Sequence, residues 1–144
     1  MKLNQGTTYQ IGLIQAQAYR RLQNHYHAAL EPYGISIPEW SLLGMLRDAG
    51  SMTPSELAKI LKSKVSHPSA LIAKLEKRGL VKRRADGEDK RSTHIALTAA
   101  GAKLVPAVEN HVRATLRHDL KDLNAAELVL YYRLLAKLAK GFEE

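Results

Sequence analysis

The residues best suited to chemistry in this chain are cationic side chains concentrated between Lys59 and Arg91. This span holds eleven basic and four acidic residues, so it accounts for most of the formal net charge of +8. A field focused in this way favours anionic partners, nucleic acid first and an acidic membrane surface second. A membrane-binding segment would also need an apolar face beside its charge, and the basic segment that ends this span has none. The charge pattern therefore predicts a nucleic-acid partner and no membrane.

The last part of the basic span is a predicted β-hairpin. Strands at 81–84 and 93–97 flank Asp86-Gly87, which is the strongest short signal for a hairpin turn. A basic hairpin of this kind can meet the phosphates and a groove of a duplex. The alternative is an ordinary solvated hairpin, which the helices before it disfavour. The candidate DNA-contacting residues of the hairpin are Arg84, Asp89, Lys90 and Arg91.

Two short helices must position this hairpin. A capping box, Thr53-Pro54-Ser55-Glu56, starts a helix over 54–61, and only Lys62-Ser63-Lys64 separates it from a second helix over 65–78. Gly79 ends that helix, with Leu80 placed to touch Leu75 as in a Schellman motif. This spacing is typical of a helix-turn-helix, and the hairpin after it makes a winged helix-turn-helix.

The second helix of such a motif lies in the major groove, where its first residues face the base edges. Ser and His can exchange hydrogen bonds with base edges or phosphates, and Pro68 can touch a thymine methyl. For each residue the alternative is an ordinary exposed side chain. The candidate contacts are Ser66, His67, Pro68 and Ser69, with Lys74 further along the helix. The positions expected to face inward are Val65, Leu71, Ile72 and Leu75.

Long helices flank this motif. They are predicted over 8–30, 99–119 and 125–141, and the last of them starts at a capping box, Asn124-Ala125-Ala126-Glu127. Another capping box, Ser36-Ile37-Pro38-Glu39, starts a further helix between the first long helix and the helix-turn-helix. The last helix is apolar around most of its circumference, which favours a dimer interface over the alternative of a central core helix. The predicted class is mainly α with a small β-hairpin wing (α+β): a winged helix-turn-helix with N- and C-terminal dimerisation helices. Residues 35–101 would form the DNA-binding lobe, and 1–34 with 102–144 the dimerisation region.

Five segments of the chain, 37–43, 53–58, 75–81, 89–91 and 97–101, the last with the pattern Leu-Thr-x-x-Gly, carry a resemblance. In these segments the chain resembles the MarR family of dimeric winged-helix transcriptional regulators. The resemblance implies that Arg91 enters the minor groove and that Asp89 steadies the wing. It also implies a small aromatic or lipophilic effector bound in a cleft, for which Tyr26, Trp40 and His111 are the candidate lining residues. Pro68 departs from the family pattern, which more often has a β-branched residue there.

Other classes of site have weaker support. The histidine pairs His25 with His27 and His111 with His118 leave open a zinc-sensing regulator, but His-x-His on a helix points to different sides, and the chain has no cysteine to complete a ligand set. We find no nucleophile elbow, glycine-rich phosphate loop or His-Glu-x-x-His motif, so we expect neither an enzyme nor a cofactor. The absence of cysteine, of a signal-peptide pattern and of a long apolar run fits a cytoplasmic protein.

The leading interpretation is a sequence-specific, double-stranded-DNA-binding regulator, a homodimeric and ligand-responsive repressor on a palindromic operator. The alternative from another class is a winged-helix protein–protein interaction module whose basic wing meets an acidic partner. Phosphate neutralisation makes DNA binding steeply dependent on salt, which separates the two.

Overall fold

The computed structural model describes residues 8–85 and 93–140. Helices dominate, and the strands form one small antiparallel sheet, so the predicted class of a mainly α chain with a β-hairpin wing is confirmed. The helices are α1 (Thr8–Leu30), α2 (Ile37–Ala49), α3 (Pro54–Leu61), α4 (Ser66–Lys77), α5 (Ala99–Asp119) and α6 (Ala125–Lys140), with a 3-10 turn at Glu31–Tyr33 after α1. The strands are β1 (Ser51–Met52), β2 (Val81–Ala85) and β3 (Thr93–Leu97).

The predicted capping boxes start α2, α3 and α6. At α2, Ser36 Oγ accepts from the Glu39 N–H at 3.2 Å, and Glu39 Oε2 accepts from the Ser36 N–H at 2.8 Å. Each box satisfies two backbone N–H groups at the start of a helix, and so fixes the residue at which the helix begins. The same reciprocal bonds join Thr53 to Glu56 and Asn124 to Glu127.

The end of α4 also follows the sequence. Gly79 has a left-handed backbone with φ of 70°. The N–H of Leu80 donates to the carbonyl of Leu75 at 3.0 Å, and the N–H of Gly79 donates to that of Glu76 at 2.9 Å. These bonds satisfy carbonyls that the helix leaves open at its end. The helix is one residue shorter at each end than the predicted 65–78.

The sheet has the strand order β1-β3-β2. Along the hairpin, β2 pairs with β3 from Val81 opposite Leu97 to Ala85 opposite Thr93. The strand β1 pairs with β3 on its other side and was not predicted, because two residues are too few for strand alternation to show. The buried side chain of Met52 in β1 joins the core that the helices form.

The chain divides into two compact units, the first ending at Val112 and the second beginning at Arg113. The first unit has a continuous apolar core in which Leu30, Leu42, Ile72 and Ile95 are completely buried. This core joins the end of α1, α2, the helix-turn-helix, the sheet and the first half of α5, and it is the frame that positions the basic surface.

The second unit contains the end of α5 and all of α6. The large apolar side chains of α6 are exposed, with Tyr132 exposed to 74% and Val129 to 58%. No helix in the described ranges combines the length and apolar character needed to cross a membrane. The exposed apolar residues of α6 are Leu128, Val129, Leu130, Tyr131, Tyr132, Leu134, Leu135 and Leu138.

Candidate nucleic-acid interface

A tight turn sets α4 against α3. Lys62 has a left-handed backbone with φ of 50°, which turns the chain sharply at the end of α3. The Ser63 N–H then donates to the Ala58 carbonyl at 3.0 Å. Leu57 of α3 and Ile72 of α4 are both fully buried in the core on the inner side of this turn. The structure therefore has the predicted helix-turn-helix, with the outer face of α4 left for other contacts.

The outer face of α4 carries polar and basic side chains. Ser66, His67 and Lys74 are exposed and Ser69 is partly exposed, so these predicted contact residues lie on the accessible side of the helix. Exposed Ala73 lies among them, and its small side chain allows close approach of a large partner. A helix of this width, with short polar groups at its start, fits the major groove of B-DNA.

The prediction that Pro68 contacts a base is wrong, because its ring is fully buried. The inward stripe of α4 runs through positions 68, 71, 72 and 75, which is the helical spacing of one face. Pro68 takes the first place in that stripe, where the first turn needs no N–H donor. The Ser69 N–H donates to the Val65 carbonyl at 3.1 Å, so bonding to the fourth preceding residue, as in an α-helix, is present directly after Pro68.

The prediction that Val65 faces inward is also wrong, since this side chain is 45% exposed. The helix begins at Ser66, so Val65 precedes its first turn and lies beyond the edge of the core. The inward placement of Leu71, Ile72 and Leu75 is confirmed by their burial.

The strand β2 extends the basic surface beyond α4. Lys82, Arg83 and Arg84 are exposed, and Arg84 lies opposite His94 on β3. Arg83 Nε lies 3.4 Å from Glu76 Oε2 of α4, so this side chain links the strand to the helix. The predicted wing contacts Asp89, Lys90 and Arg91 lie outside the described residues.

Thr98 connects the wing to the end of α4 and to the start of α5. Its hydroxyl donates to the Gly79 carbonyl at 2.6 Å and accepts from the Gly101 N–H at 3.1 Å. Its own N–H donates to the Leu80 carbonyl at 3.1 Å. A Cβ placed on Gly101 would lie 2.1 Å from that same carbonyl oxygen, so only glycine fits there. The Leu-Thr-x-x-Gly segment therefore joins the end of α4 to the start of α5.

The three predicted effector-lining residues form two separate ring pairs. The rings of Tyr26 and Trp40 are 5.6 Å apart, whereas His111 meets Tyr33 edge-on with centroids 5.6 Å apart. Tyr26 and Trp40 are partly buried against the core. A cavity of about 570 Å³ lies at the end of α1 and the start of α2, and its lining includes none of the three predicted residues. The lining residues of this cavity are His27, Ala28, Glu31, Gly34, Ile35, Ser36 and Glu39.

The histidines do not assemble a metal site in the part of the chain that the structure describes. No group of three or more His, Asp or Glu side chains in residues 8–85 and 93–140 is placed to hold a metal ion. His118 Nδ1 lies 3.5 Å from Asp119 Oδ1, a neighbour on the same helix.

Comparison with known proteins gives a consistent set of relatives. The model of the MarR family matches residues 35–93. The HTH-type transcriptional repressor Rv2887 of Mycobacterium tuberculosis is 32% identical over 130 residues, which cover 90% of this chain and 88% of the relative.

Solved structures show the same fold. A mutant MarR from E. coli complexed with operator DNA superposes with a TM-score of 0.78 and 25% identity, covering 89% of this chain and 92% of that one. NadR in complex with 4-hydroxyphenylacetate superposes with a TM-score of 0.74 and 27% identity, covering 97% and 98%.

Proposed function

This chain belongs to the MarR family of transcriptional regulators, which are not enzymes, and we propose that it is a homodimeric repressor that binds a palindromic operator and is released by a small effector. The observation that carries the proposal is the outer face of α4, where Ser66, His67 and Lys74 are presented beside the basic strand β2. The fold is shared with a MarR protein that is complexed with operator DNA, which supports operator DNA as the partner.

In this proposal the surface has two parts with different tasks. Ser66, His67 and Ser69 read base edges in the major groove, while Lys74 and Arg84 meet phosphates. Of the wing residues, Arg91 enters the adjacent minor groove with Lys90 beside it in the sequence, and Asp89 steadies the wing. Because phosphate contacts carry no sequence information, the choice of operator depends on the start of α4.

The homodimer is supported by the exposed apolar surface of α6. A soluble protein seldom leaves so many large apolar side chains of one helix in water without a partner. A second copy of the chain would cover them, and its two-fold symmetry would place two α4 helices on two half-sites of a palindrome. We assign 35–101 to the DNA-binding lobe, and 1–34 with 102–144 to dimerisation, as part of this proposal.

The effector would be a small aromatic or lipophilic molecule. The ring pair of Tyr26 with Trp40 and the ring of His111 offer apolar faces and one polar edge for such a ligand. The structural neighbour NadR holds 4-hydroxyphenylacetate, an aromatic carboxylate, which supports this class of ligand. We place the protein in the cytoplasm, where its operator would be.

Selection of DNA fragments by the purified protein tests the proposal. We expect repeated rounds of capture from sheared genomic DNA to enrich a short palindrome, with half-sites about one helical turn apart. Binding of the enriched duplex should be compared with a scrambled duplex of the same composition. Enrichment of no common motif, or tight binding of an acidic protein in preference to either duplex, would instead support the protein–protein interaction module.

A further inference from the structure

Arg78 joins the end of α4 to the end of α1. It is the C-cap residue that directly follows α4. Its guanidinium donates from Nη1 to the Gly34 carbonyl at 2.7 Å and from Nη2 to the Tyr33 carbonyl at 2.8 Å. Two short charge-assisted bonds from one planar group fix direction as well as distance. This fork therefore restrains how α4 is oriented against the segment that follows α1.

The acceptors of this fork are suited to a cation. The Tyr33 and Gly34 carbonyls end the 3-10 turn that continues α1, where helices leave carbonyls open and carry a partial negative charge. Gly34 has φ of 61°, a backbone that directs the chain away from the turn and that glycine adopts readily. Lysine could not replace the fork, because an ammonium is a single point charge on a flexible stem.

The acceptor segment is itself anchored. The ring of Tyr33 meets the ring of His111 on α5, at a centroid distance of 5.6 Å. The rest of α4 is held mainly by Leu71, Ile72 and Leu75, whose apolar contacts have no preferred direction. Arg78 thus supplies a directional bond between the helix and an element outside the helix-turn-helix.

We propose that Arg78 is a positioning residue for operator recognition: its guanidinium fork on Tyr33 and Gly34 sets the angle at which α4 meets the major groove. This inference rests on the proposed function and deepens it. Arg78 belongs to the basic span by sequence and its side chain is exposed, but both of its terminal guanidinium nitrogens are engaged by backbone carbonyls of its own chain. Its removal should affect reading of the operator and leave non-specific attraction to DNA unchanged.

The test compares Arg78→Lys and Arg78→Ala with the control Lys77→Ala, which removes the neighbouring exposed cation. Binding is measured for the enriched operator and for a scrambled duplex, each over a salt series. We expect both Arg78 variants to bind the operator about tenfold more weakly, since bonds from a charged donor are lost. Affinity for the scrambled duplex should stay as in wild type. So should the salt slope, which is the slope of the logarithm of the binding constant against the logarithm of the salt concentration. Lys77→Ala should keep the preference for the operator.

Hydrogen exchange gives a second readout that does not use DNA. The Gly34 N–H donates to the Glu31 carbonyl within the turn that Arg78 holds, whereas the Gly50 N–H donates to the Leu46 carbonyl at the end of α2. In Arg78→Lys we expect faster exchange at Gly34 and unchanged exchange at Gly50. A urea titration of each variant checks that the fold is kept, and Arg78→Lys carries the test if Arg78→Ala unfolds.

A phosphate role for Arg78 gives the opposite pattern. Arg78→Lys would then retain operator binding, and Arg78→Ala would weaken both duplexes and lower the salt slope by about one unit. That result overturns the inference, as does unchanged operator binding in both Arg78 variants or unchanged exchange at Gly34 in a folded variant. A wild-type protein that does not distinguish operator from scrambled duplex overturns the proposed function together with this inference.

Discussion

At the scale of single residues, the basic side chains of this surface differ in whether another group of the protein already contacts them. Arg78 is bonded to backbone carbonyls and Arg83 lies beside Glu76, whereas Arg84 and Lys74 are exposed on β2 and α4. The sequence shows only that these residues are basic and close together along the chain. A count of positive charge therefore overstates the number of groups that can meet DNA, and each arginine needs its own test.

Arg91 is predicted to add affinity more than sequence choice, because the minor groove distinguishes mainly A·T from G·C pairs. We expect Arg91→Ala to weaken operator binding by about 1–3 kcal/mol and to lower the salt slope by about one unit. Arg91→Lys keeps the charge and should keep most of the slope. Binding isotherms over a salt series measure both quantities. Wild-type affinity in a folded Arg91→Ala protein would contradict the prediction.

His67 is predicted to influence which bases of the operator are preferred, since its exposed imidazole lies in the first turn of α4. His67→Ala should change which bases are enriched in a DNA selection while the salt slope stays nearly constant. Ser66→Ala should do the same at a neighbouring position. A variant that enriches the wild-type motif without change would show that these side chains do not read the operator.

At the scale of elements, the wing depends on a junction that backbone groups form. Thr98 bonds to the end of α4 with its hydroxyl and N–H, and the Leu80 carbonyl leaves no room for a side chain at Gly101. This junction fixes where the hairpin leaves α4 and where it enters α5. Substitutions here should therefore affect folding, and DNA binding through it.

The helical glycines Gly101 and Gly44 provide a matched pair for this junction. A Cβ at Gly101 would meet a backbone oxygen that cannot move aside, so Gly101→Ala should destabilise the fold by about 1–3 kcal/mol or more. Gly44 lies within α2 with open space around it, so Gly44→Ala should be neutral or stabilise by up to about 1 kcal/mol. Urea denaturation measures both free energies of unfolding. Equal stability of the two variants would contradict the close approach at Gly101.

The sequence predicts these elements well where local rules decide them. Capping boxes and the Gly79 stop act within a few residues, so the starts of α2, α3 and α6 and the end of α4 could be read directly. Tertiary packing decides the rest. Pro68 is a tolerated first-turn residue by local rules, and only the core against it shows that it faces inward. The Arg78 fork joins residues more than forty positions apart, which no local pattern reveals.

At the scale of the whole molecule, the apolar surface of α6 is predicted to hold two copies of the chain together. Leu134→Glu combined with Leu138→Glu places two charges on one side of this helix, where both leucines are about half exposed. We expect the doubly substituted protein to sediment as a monomer or to aggregate, and to lose operator binding. Lys137→Glu reverses a charge at an exposed position of the same helix, and this variant should remain dimeric. A folded dimer from the double variant would exclude α6 from the interface.

Peroxide is predicted not to act as a specific signal. The chain has no cysteine and three methionines, so there is no thiolate to oxidise reversibly. Operator binding should be unchanged after brief exposure to low concentrations of peroxide. Loss of binding that a reductant restores would require a redox site that the sequence does not contain.

The central claim is that this surface binds one DNA sequence through α4 and the duplex backbone through its cations. The most direct measurement is the affinity of the wild-type protein for its enriched operator and for a scrambled duplex, each over a series of salt concentrations. We expect both affinities to fall steeply with salt and the operator to bind about a thousandfold more tightly or better at each concentration. Equal affinity for the two duplexes, or binding that does not change with salt, would contradict the account.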